Sequence, residues 1–297
     1  MISEPSSEPR RPRGVYLLPN LFTTAALFCG FYAIIAALQN RFELAAVAVF
    51  VAMVLDGLDG RVARLTHTES EFGAQYDSMA DLVSFGLAPA LIMYEWALGS
   101  MASMGPFLSK LGWLAAFFYT VMAALRLARF NVQLGSTDKR YFIGLPSPSA
   151  AAIVTGFVWF GTDLGLTGPQ LLWPALVVTV GAGALMFSKI LYFSFKQVNL
   201  RGRVPFASAL LVVLTLVVIS IDPPKVLFTG FLLYGLSGPV MYLARLRQRA
   251  RRRRPTPRHR LGGARRRPLG EGLHLRDPRP RRRHRHHRPH QLAPLPH

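Results

Sequence analysis

Hydrophobic residues occur in eight long stretches that are separated by short polar segments. An α-helix needs about 20 mostly apolar residues to cross the hydrocarbon core of a bilayer. We therefore predict an all-α fold, a polytopic integral membrane protein with about eight transmembrane helices. The predicted spans are residues 16–38, 41–65, 73–99, 107–130, 147–163, 170–192, 205–221 and 225–245.

The short loops between the predicted spans differ in charge on the two sides of the membrane. Thirteen lysines and arginines fall on one side, against three on the other, namely Arg41, Lys110 and Lys225. Because basic loops stay in the cytoplasm, this bias predicts that both termini are cytoplasmic. The even number of spans agrees with that orientation.

The net charge comes almost entirely from the C-terminal end. The chain has 35 basic and 15 acidic residues, a net charge of +20, and 51% of its residues are hydrophobic. Residues 245–297 contain 19 arginines and only two acidic residues, which accounts for +17 of that charge. A segment of arginine, histidine and proline cannot bury a core, so we expect disorder there.

The composition predicts three regions: a cytoplasmic segment at 1–14, a membrane-embedded domain at 15–245, and a disordered Arg/His/Pro-rich tail at 246–297. The positive charge of the tail predicts nonspecific association with anionic lipid or nucleic acid. We expect no specific nucleic-acid partner. A second interpretation, translation out of frame, stays open for the tail.

Cysteine and histidine are scarce in the membrane region. Cys29 is the single cysteine of the chain, and His67 is the one histidine before the tail. A disulfide framework and a cysteine-rich zinc site are therefore excluded. The same scarcity argues against a histidine-based metal site or a Ser-His-Asp triad.

Four aspartates lie within two adjacent predicted spans: Asp56, Asp59, Asp77 and Asp81. At about 100° per residue, the first pair shares one helix face and the second pair shares another. A short connection makes the two helices antiparallel, so these faces can converge at the cytoplasmic boundary. Ionisable groups at this depth are costly and indicate function. Such carboxylates suit Mg²⁺ or Mn²⁺ together with a phosphate-bearing substrate.

Small and basic residues accompany the aspartates. Gly60 and Gly73 leave room for a ligand close to the backbone, and Arg64 offers a forked donor to a phosphate oxygen. Two other interpretations of the cluster are interhelical polar contacts and the path of a divalent-cation transporter. The transporter would need acidic residues through the whole depth of the membrane, whereas these collect at one side.

The segment from Asp56 to Asp81 resembles the signature of the CDP-alcohol phosphotransferases, D-x-x-D-G-x-x-A-R-x8-G-x-x-x-D-x-x-x-D, and matches it at every specified position. Four flanking segments resemble the phosphatidylserine synthase branch of that family. They are 18–23 (LPNLFT), 81–86 (DLVSFG), 126–131 (RLARFN) and 144–148 (GLPSP). The resemblance covers about residues 15–245 and implies a six-helix catalytic core formed by the first six spans.

The resemblance also implies roles for individual residues. The divalent-ion ligands would be Asp56, Asp59 and Asp77, with Asp81 either helping to bind the ions or acting as the catalytic base. The contacts to the cytidine nucleotide and its phosphates would be Asn20, Gly60, Arg64, Ser70 and Gly73. The assignment of the base agrees with the chemistry, because a serine hydroxyl needs a positioned proton acceptor and carboxylates bound to cations are poor bases.

The implied reaction joins CDP-diacylglycerol and L-serine to give phosphatidylserine and CMP. The implied setting is the cytoplasmic (inner) membrane, among membrane lipid, with the active site facing the cytoplasm and the protein a homodimer. The main alternative is a sister enzyme of the same superfamily that uses glycerol 3-phosphate or an inositol phosphate as acceptor.

Binding of serine requires a cation for its carboxylate. Arg126 and Arg129, at the cytoplasmic end of the fourth span, are the candidates, although the positive-inside rule alone would also place arginine there. Ser84 is a candidate for a substrate contact and equally for a hydroxyl that packs two helices together.

Overall fold

The computed structural model describes residues 17–66, 70–133, 141–193 and 206–253. Its helices and strands are, in order, α1 (Leu17–Leu38), α2 (Phe42–Thr66), α3 (Glu71–Asp81), a π-helical turn (Leu82–Leu87), α4 (Ala88–Trp96), a 3-10 helix (Leu98–Met104), α5 (Pro106–Gln133), β1 (Tyr141–Ile143), α6 (Ser147–Asp163), a 3-10 turn (Gly168–Leu171), α7 (Leu172–Phe187), β2 (Leu191–Phe193), α8 (Phe206–Ile221) and α9 (Pro223–Arg253). Each predicted span coincides with helical structure, and the third comprises α3, the π-helical turn and α4.

Within the described part of the chain, four helical segments are long and apolar enough to cross a membrane: Asn20–Leu38, Pro106–Val132, Gly168–Phe187 and Pro223–Ala244. A fifth is added if the bent pair Glu71–Trp96 and Leu98–Met104 forms one span. Helix α2 carries five charged side chains, and α6 and α8 are 17 and 16 residues long. The protein is an all-α polytopic membrane protein, and eight crossings stay a prediction.

The predicted sixth span, residues 170–192, is too long at its C-terminal end. Helix α7 ends at Phe187, and Leu191–Phe193 forms a two-stranded antiparallel sheet with β1. The amide of Gly144 donates to the carbonyl of Ile190 at 2.8 Å. The backbone after α7 is therefore paired with the loop before α6 instead of continuing the helix.

Helices α1 and α2 pack closely against each other, and both are rich in small buried residues. Their buried alanines are Ala26, Ala33, Ala36, Ala37, Ala45, Ala46, Ala48 and Ala52. The turn between the helices is tight: Asn40 has a φ of 58°, and the amide of Arg41 donates to the carbonyl of Ala36 at 2.8 Å. This is a Schellman cap, in which asparagine tolerates the left-handed conformation. Residues at the two outer ends of this hairpin can therefore meet.

Helix α6 lies in the centre of the bundle and contacts α2, α4, α7 and α9. Eleven of its 17 residues are buried, including an uninterrupted run from Ala150 to Val158. Around it, Trp96 and Phe228 pack against Phe157 with ring centroids 5.8 and 5.7 Å apart. A helix that is buried all round fixes the position of its own first turn, which borders the site described below.

Two buried tyrosines donate to carbonyl groups that proline leaves without a helical donor. Pro89 has no N–H for the carbonyl of Phe85, which accepts from the hydroxyl of Tyr119 at 3.0 Å. Pro239 has none for the carbonyl of Gly235, which accepts from the hydroxyl of Tyr192 at 2.9 Å. These bonds join α5 to the π-helical turn and β2 to α9.

The predicted domain boundaries remain predictions. The segment 1–14 and residues 254–297 lie outside the described residues. The predicted border between domain and tail at 245/246 falls inside α9, which is helical to Arg253.

Candidate active site

The structure brings aspartates of α2 and α3 together. Carboxylate oxygens of Asp56, Asp59 and Asp77 all lie within 4.8 Å of one another. The first two are three residues apart on α2, and the third comes from α3. Such a group of oxygen ligands fits a divalent cation, because Mg²⁺ and Mn²⁺ prefer oxygen ligands and bind through a few carboxylates together with substrate phosphate. The donor set is therefore compatible with the metal that the sequence predicts.

Asp81 lies one helical turn beyond Asp77 and outside that group of three. Its carboxyl is within hydrogen-bonding reach of the Asp56 side chain and interacts electrostatically with Asp77 and Arg126. It is also the last residue before the π-helical turn, where the amide of Ala88 donates to the carbonyl of Val83, five residues earlier. A π-helical turn beside a group of ionisable residues is a frequent feature of functional sites.

A cavity of about 570 Å³ lies over these side chains. Its polar lining consists of the four aspartates Asp56, Asp59, Asp77 and Asp81 and the three arginines Arg61, Arg64 and Arg126. Its apolar lining includes Met53, Val54, Leu58, Leu127, Phe130, Pro146 and Pro148. Such a cavity can take an amphiphilic molecule that carries phosphate at one end.

Arg126 reaches the cavity from α5, whereas Arg129 does not. The guanidinium of Arg126 donates to the hydroxyl of Ser147, in the first turn of α6, and lies near Asp81 and Asp56. The guanidinium of Arg129 instead donates to the carbonyl of Phe187 at 3.1 Å and lies 3.9 Å from the centre of the Phe187 ring. The two arginines that the sequence predicts as serine contacts therefore have different surroundings.

Ser84 lies away from the cavity, in the interface between the π-helical turn and α1. Ser84 is 1% exposed, and its hydroxyl donates to the carbonyl of Ala26 at 3.1 Å. A Cβ atom on Gly30 would come within 2.4 Å of that hydroxyl. Of its two predicted roles, these contacts match the packing of two helices.

The predicted nucleotide contacts fall into two groups. Gly60 and Arg64 line the cavity, and the Nε of Arg64 donates to the carbonyl of Gly60 at 2.7 Å. Ser70 is the N-cap of α3, where its hydroxyl accepts from the amide of Gly73 at 3.0 Å. A Cβ on Gly73 would lie 3.5 Å from the side-chain oxygen of Asn20. Ser70, Gly73 and Asn20 form the second group. They lie together where the start of α3 meets the first turns of α1.

The loop before α6 is shaped by a glycine. Gly144 has a φ of +85°, and a Cβ there would lie 2.1 Å from the carbonyl oxygen of Met186. The next amide, that of Leu145, donates to the carbonyl of Leu185 at 3.0 Å. Only glycine permits this approach. The loop delivers Pro146 and Pro148 to the cavity wall and places the hydroxyl of Ser147 on Arg126.

Two polar contacts near the site were not predicted from the sequence. The hydroxyl of Thr23 on α1 donates to Asp59 at 2.8 Å, and both residues are buried. The side-chain Nδ2 of Asn131 on α5 donates to the hydroxyl of Ser78 on α3 at 3.0 Å. The signal for both was present, because Thr23 and Asn131 belong to the flanking segments that carry the resemblance.

The residues of this site lie within a region that matches a known protein family. The sequence description of the CDP-alcohol phosphatidyltransferase family matches residues 16–181. The chain belongs to that family.

Several curated relatives carry one name, CDP-diacylglycerol–serine O-phosphatidyltransferase. A Helicobacter pylori protein is 36% identical over 227 residues, covering 75% of this chain and 90% of the relative. A Mycobacterium tuberculosis protein is 35% identical over 216 residues, covering 70% of this chain and 72% of the relative. A Bacillus subtilis protein is 34% identical over 182 residues, covering 61% of this chain and 92% of the relative.

Proposed function

We propose that the protein transfers a phosphatidyl group from CDP-diacylglycerol to the hydroxyl of L-serine and releases CMP, as a step of phospholipid biosynthesis. The observation that carries this proposal is the meeting of carboxylates from α2 and α3 with Arg64 and Arg126 in one partly apolar cavity. The shared name of the relatives, at 34–36% identity, supports the choice of serine.

The divalent ion would be Mg²⁺ or Mn²⁺, held by Asp56, Asp59 and Asp77. When bound, the ion neutralises the charge of the pyrophosphate and of the departing CMP. Gly60 exposes its backbone to the cavity without a side chain, which leaves space for the nucleotide. Arg64 would donate to a phosphate oxygen from the mouth of the same cavity.

Asp81 would accept the proton of the serine hydroxyl. The serine oxygen then forms a bond to the phosphorus of the phosphatidyl group, and the bond from that phosphorus to the bridging oxygen breaks. CMP departs with the electron pair of that bond. Asp81 suits this role because it lies beside the three clustered carboxylates without belonging to them, so its oxygens need not be occupied by a cation.

Arg126 would pair with the serine carboxylate. Its guanidinium donates to Ser147, and both Arg126 and Asp81 line the same cavity, so a serine held by Arg126 could reach the proposed base with its hydroxyl. Arg129, which contacts Phe187, is assigned to the packing of α5 on α7. Ser70 and Gly73 would shape the start of α3 for the nucleotide, with Asn20 beside them.

The setting of the reaction is the inner membrane, with the site facing the cytoplasm, and the support is the distribution of basic residues between the loops. The membrane region would act as one catalytic domain. Pairing into a homodimer stays a prediction from the resemblance.

The test is an acceptor series with the purified protein, CDP-diacylglycerol and Mn²⁺. We expect release of CMP with L-serine and formation of phosphatidylserine, with much slower release for glycerol 3-phosphate and inositol phosphate. A preference for a phosphorylated alcohol would assign the protein to a sister activity of the same family. Absence of CMP release with every alcohol would contradict the proposal.

A further inference from the structure

The hydrogen bond from Thr23 to Asp59 joins the first span to the acidic cluster. The Thr23 hydroxyl donates to Oδ2 of Asp59 at 2.8 Å, and the two residues are 4% and 5% exposed. They are 36 positions apart in sequence. Asp59 is the most buried of the three clustered carboxylates. A donor held at this depth fixes the rotation of the carboxylate about its Cβ–Cγ bond.

The chemistry of the donor matters as much as its position. A hydroxyl supplies one hydrogen bond to a carboxylate, which has about four acceptor sites on its two oxygens. Asp59 therefore keeps most of its capacity for other ligands while its plane is fixed. An arginine or lysine in place of Thr23 would instead bring a positive charge that competes with a cation.

The same turn of α1 also contacts the other acidic helix. The hydroxyls of Thr24 and Tyr76 lie 3.0 Å apart, and the carbonyl of Ala26 accepts from Ser84 in the π-helical turn. This turn of α1 is therefore bonded to α2, to α3 and to the segment that follows Asp81. Its position sets where the carboxylates of the two helices stand relative to one another.

A purely structural role would be redundant at Thr23. Helices α1 and α2 already pack extensively against each other, and both carry several buried alanines. One added hydrogen bond contributes little more to such an interface in a membrane. Its specific consequence is the orientation of Asp59.

We infer that Thr23 is a positioning residue for a divalent cation, orienting Asp59 as a ligand from the neighbouring helix. The inference rests on the proposed function, which assigns the cation to the three aspartates. Partners that orient metal ligands typically change metal affinity by about 10- to 100-fold when they are removed.

The experiment measures binding of Mn²⁺ directly, by the loss of the electron paramagnetic resonance signal of free Mn²⁺, for the purified full chain in detergent. We expect Thr23→Val, which keeps the shape and loses the donor, to raise the Kd for Mn²⁺ about tenfold or more. Thr23→Ser, which keeps a donor, should stay within about threefold of the wild type. Thermal unfolding without metal should be similar for both variants.

Thr179→Val is the matched control. Thr179 is also buried in a membrane helix, but its hydroxyl donates to the carbonyl of Ala175 within its own helix. We expect its Kd for Mn²⁺ to equal that of the wild type. Equal Kd values for Thr23→Val and the wild type, or equal losses for Thr23→Val and Thr179→Val, would overturn the inference alone. Absence of Mn²⁺ binding by the wild type would overturn the proposed metal site, and this inference with it.

Discussion

The guanidinium of Arg126 on α5 donates a hydrogen bond to the hydroxyl of Ser147, in the first turn of α6. The same guanidinium lies near Asp81, the proposed base. Ser147 is completely buried, because it belongs to a helix that is enclosed on all sides. The central helix α6 thus holds the positively charged side chain of Arg126 at the edge of the acidic cluster.

We predict that Arg126 and Arg129 differ in their effect on serine. Arg126→Ala should raise the KM for serine at least tenfold, because a hydrogen bond to a charged group contributes about 1.5–3 kcal/mol. Arg129→Ala should leave that KM within about threefold, since its guanidinium is engaged by Phe187. Steady-state kinetics at saturating CDP-diacylglycerol would measure both. The reverse order of effects would remove Arg126 from the serine site.

The hydroxyl of Ser147 gives a milder version of the same test. Ser147→Ala should raise the KM for serine less than Arg126→Ala does, since it removes only the group that steadies the guanidinium. Ser149→Ala, two residues further along α6, is the matched control and should resemble the wild type. A KM unchanged by Ser147→Ala would mean that the bond does not orient Arg126 for its substrate.

Asp81→Asn should separate binding from turnover. The amide cannot accept the proton of the serine hydroxyl, so kcat should fall by about 10²–10⁴. The Kd for CDP-diacylglycerol should change little, because Asp81 lies outside the group of three clustered carboxylates. Asp222→Asn, at a partly exposed position between α8 and α9, is the control. Turnover close to the wild-type rate in Asp81→Asn would exclude Asp81 as the base.

Gly144→Ala should both destabilise the protein and weaken serine binding. The added Cβ would lie 2.1 Å from the carbonyl oxygen of Met186, so the loop that carries Pro146 and Ser147 must move. Gly165→Ala isolates the cost of the backbone conformation, because Gly165 has a φ of +70° with open space around it. That cost is about 1–2 kcal/mol. The melting temperature should fall further for Gly144→Ala, and equal losses would show that the close approach is unimportant.

Removal of the Tyr192 hydroxyl should take away the hydrogen-bond donor of the Gly235 carbonyl, to which Pro239 cannot donate. We expect Tyr192→Phe to lower the free energy of unfolding by about 1–3 kcal/mol, the cost of a buried unsatisfied group. The loss should be smaller when Pro239→Ala is already present, because alanine supplies the missing N–H to Gly235. Tyr242→Phe, at a half-exposed position, is the control. Denaturation in detergent would measure the free energy of unfolding of the wild type, the two single variants and the double variant. If the losses of the two single variants simply add in the double variant, Tyr192 and Pro239 do not act on the same carbonyl.

The helices could be predicted from the sequence because long apolar runs have few alternative structures in a membrane. The convergence of Asp56 and Asp59 with Asp77 followed from helical spacing and a short connection. The end of α7 could not be predicted, since its last residues pair with the loop before α6 through contacts distant in sequence.

The roles of the two arginines also depend on distant contacts. Arg126 and Arg129 are three residues apart on one helix, and sequence spacing cannot distinguish them. Only the arrangement of α6 and α7 decides that one meets Ser147 and the other meets Phe187. The resemblance includes the segment that contains Thr23, but its contact with Asp59 joins two different spans and could not be predicted from spacing.

The central claim is that carboxylates from two helices form one metal-dependent site for a CDP-linked lipid. The most direct measurement is serine-dependent release of CMP by the purified protein, first with a chelator and then over a titration of Mn²⁺. We predict no release in the chelator, recovery with Mn²⁺, and at least a hundredfold loss in both Asp59→Asn on α2 and Asp77→Asn on α3, since each removes a proposed ligand. Release that persists in the chelator, or near-normal activity in either variant, would contradict the account.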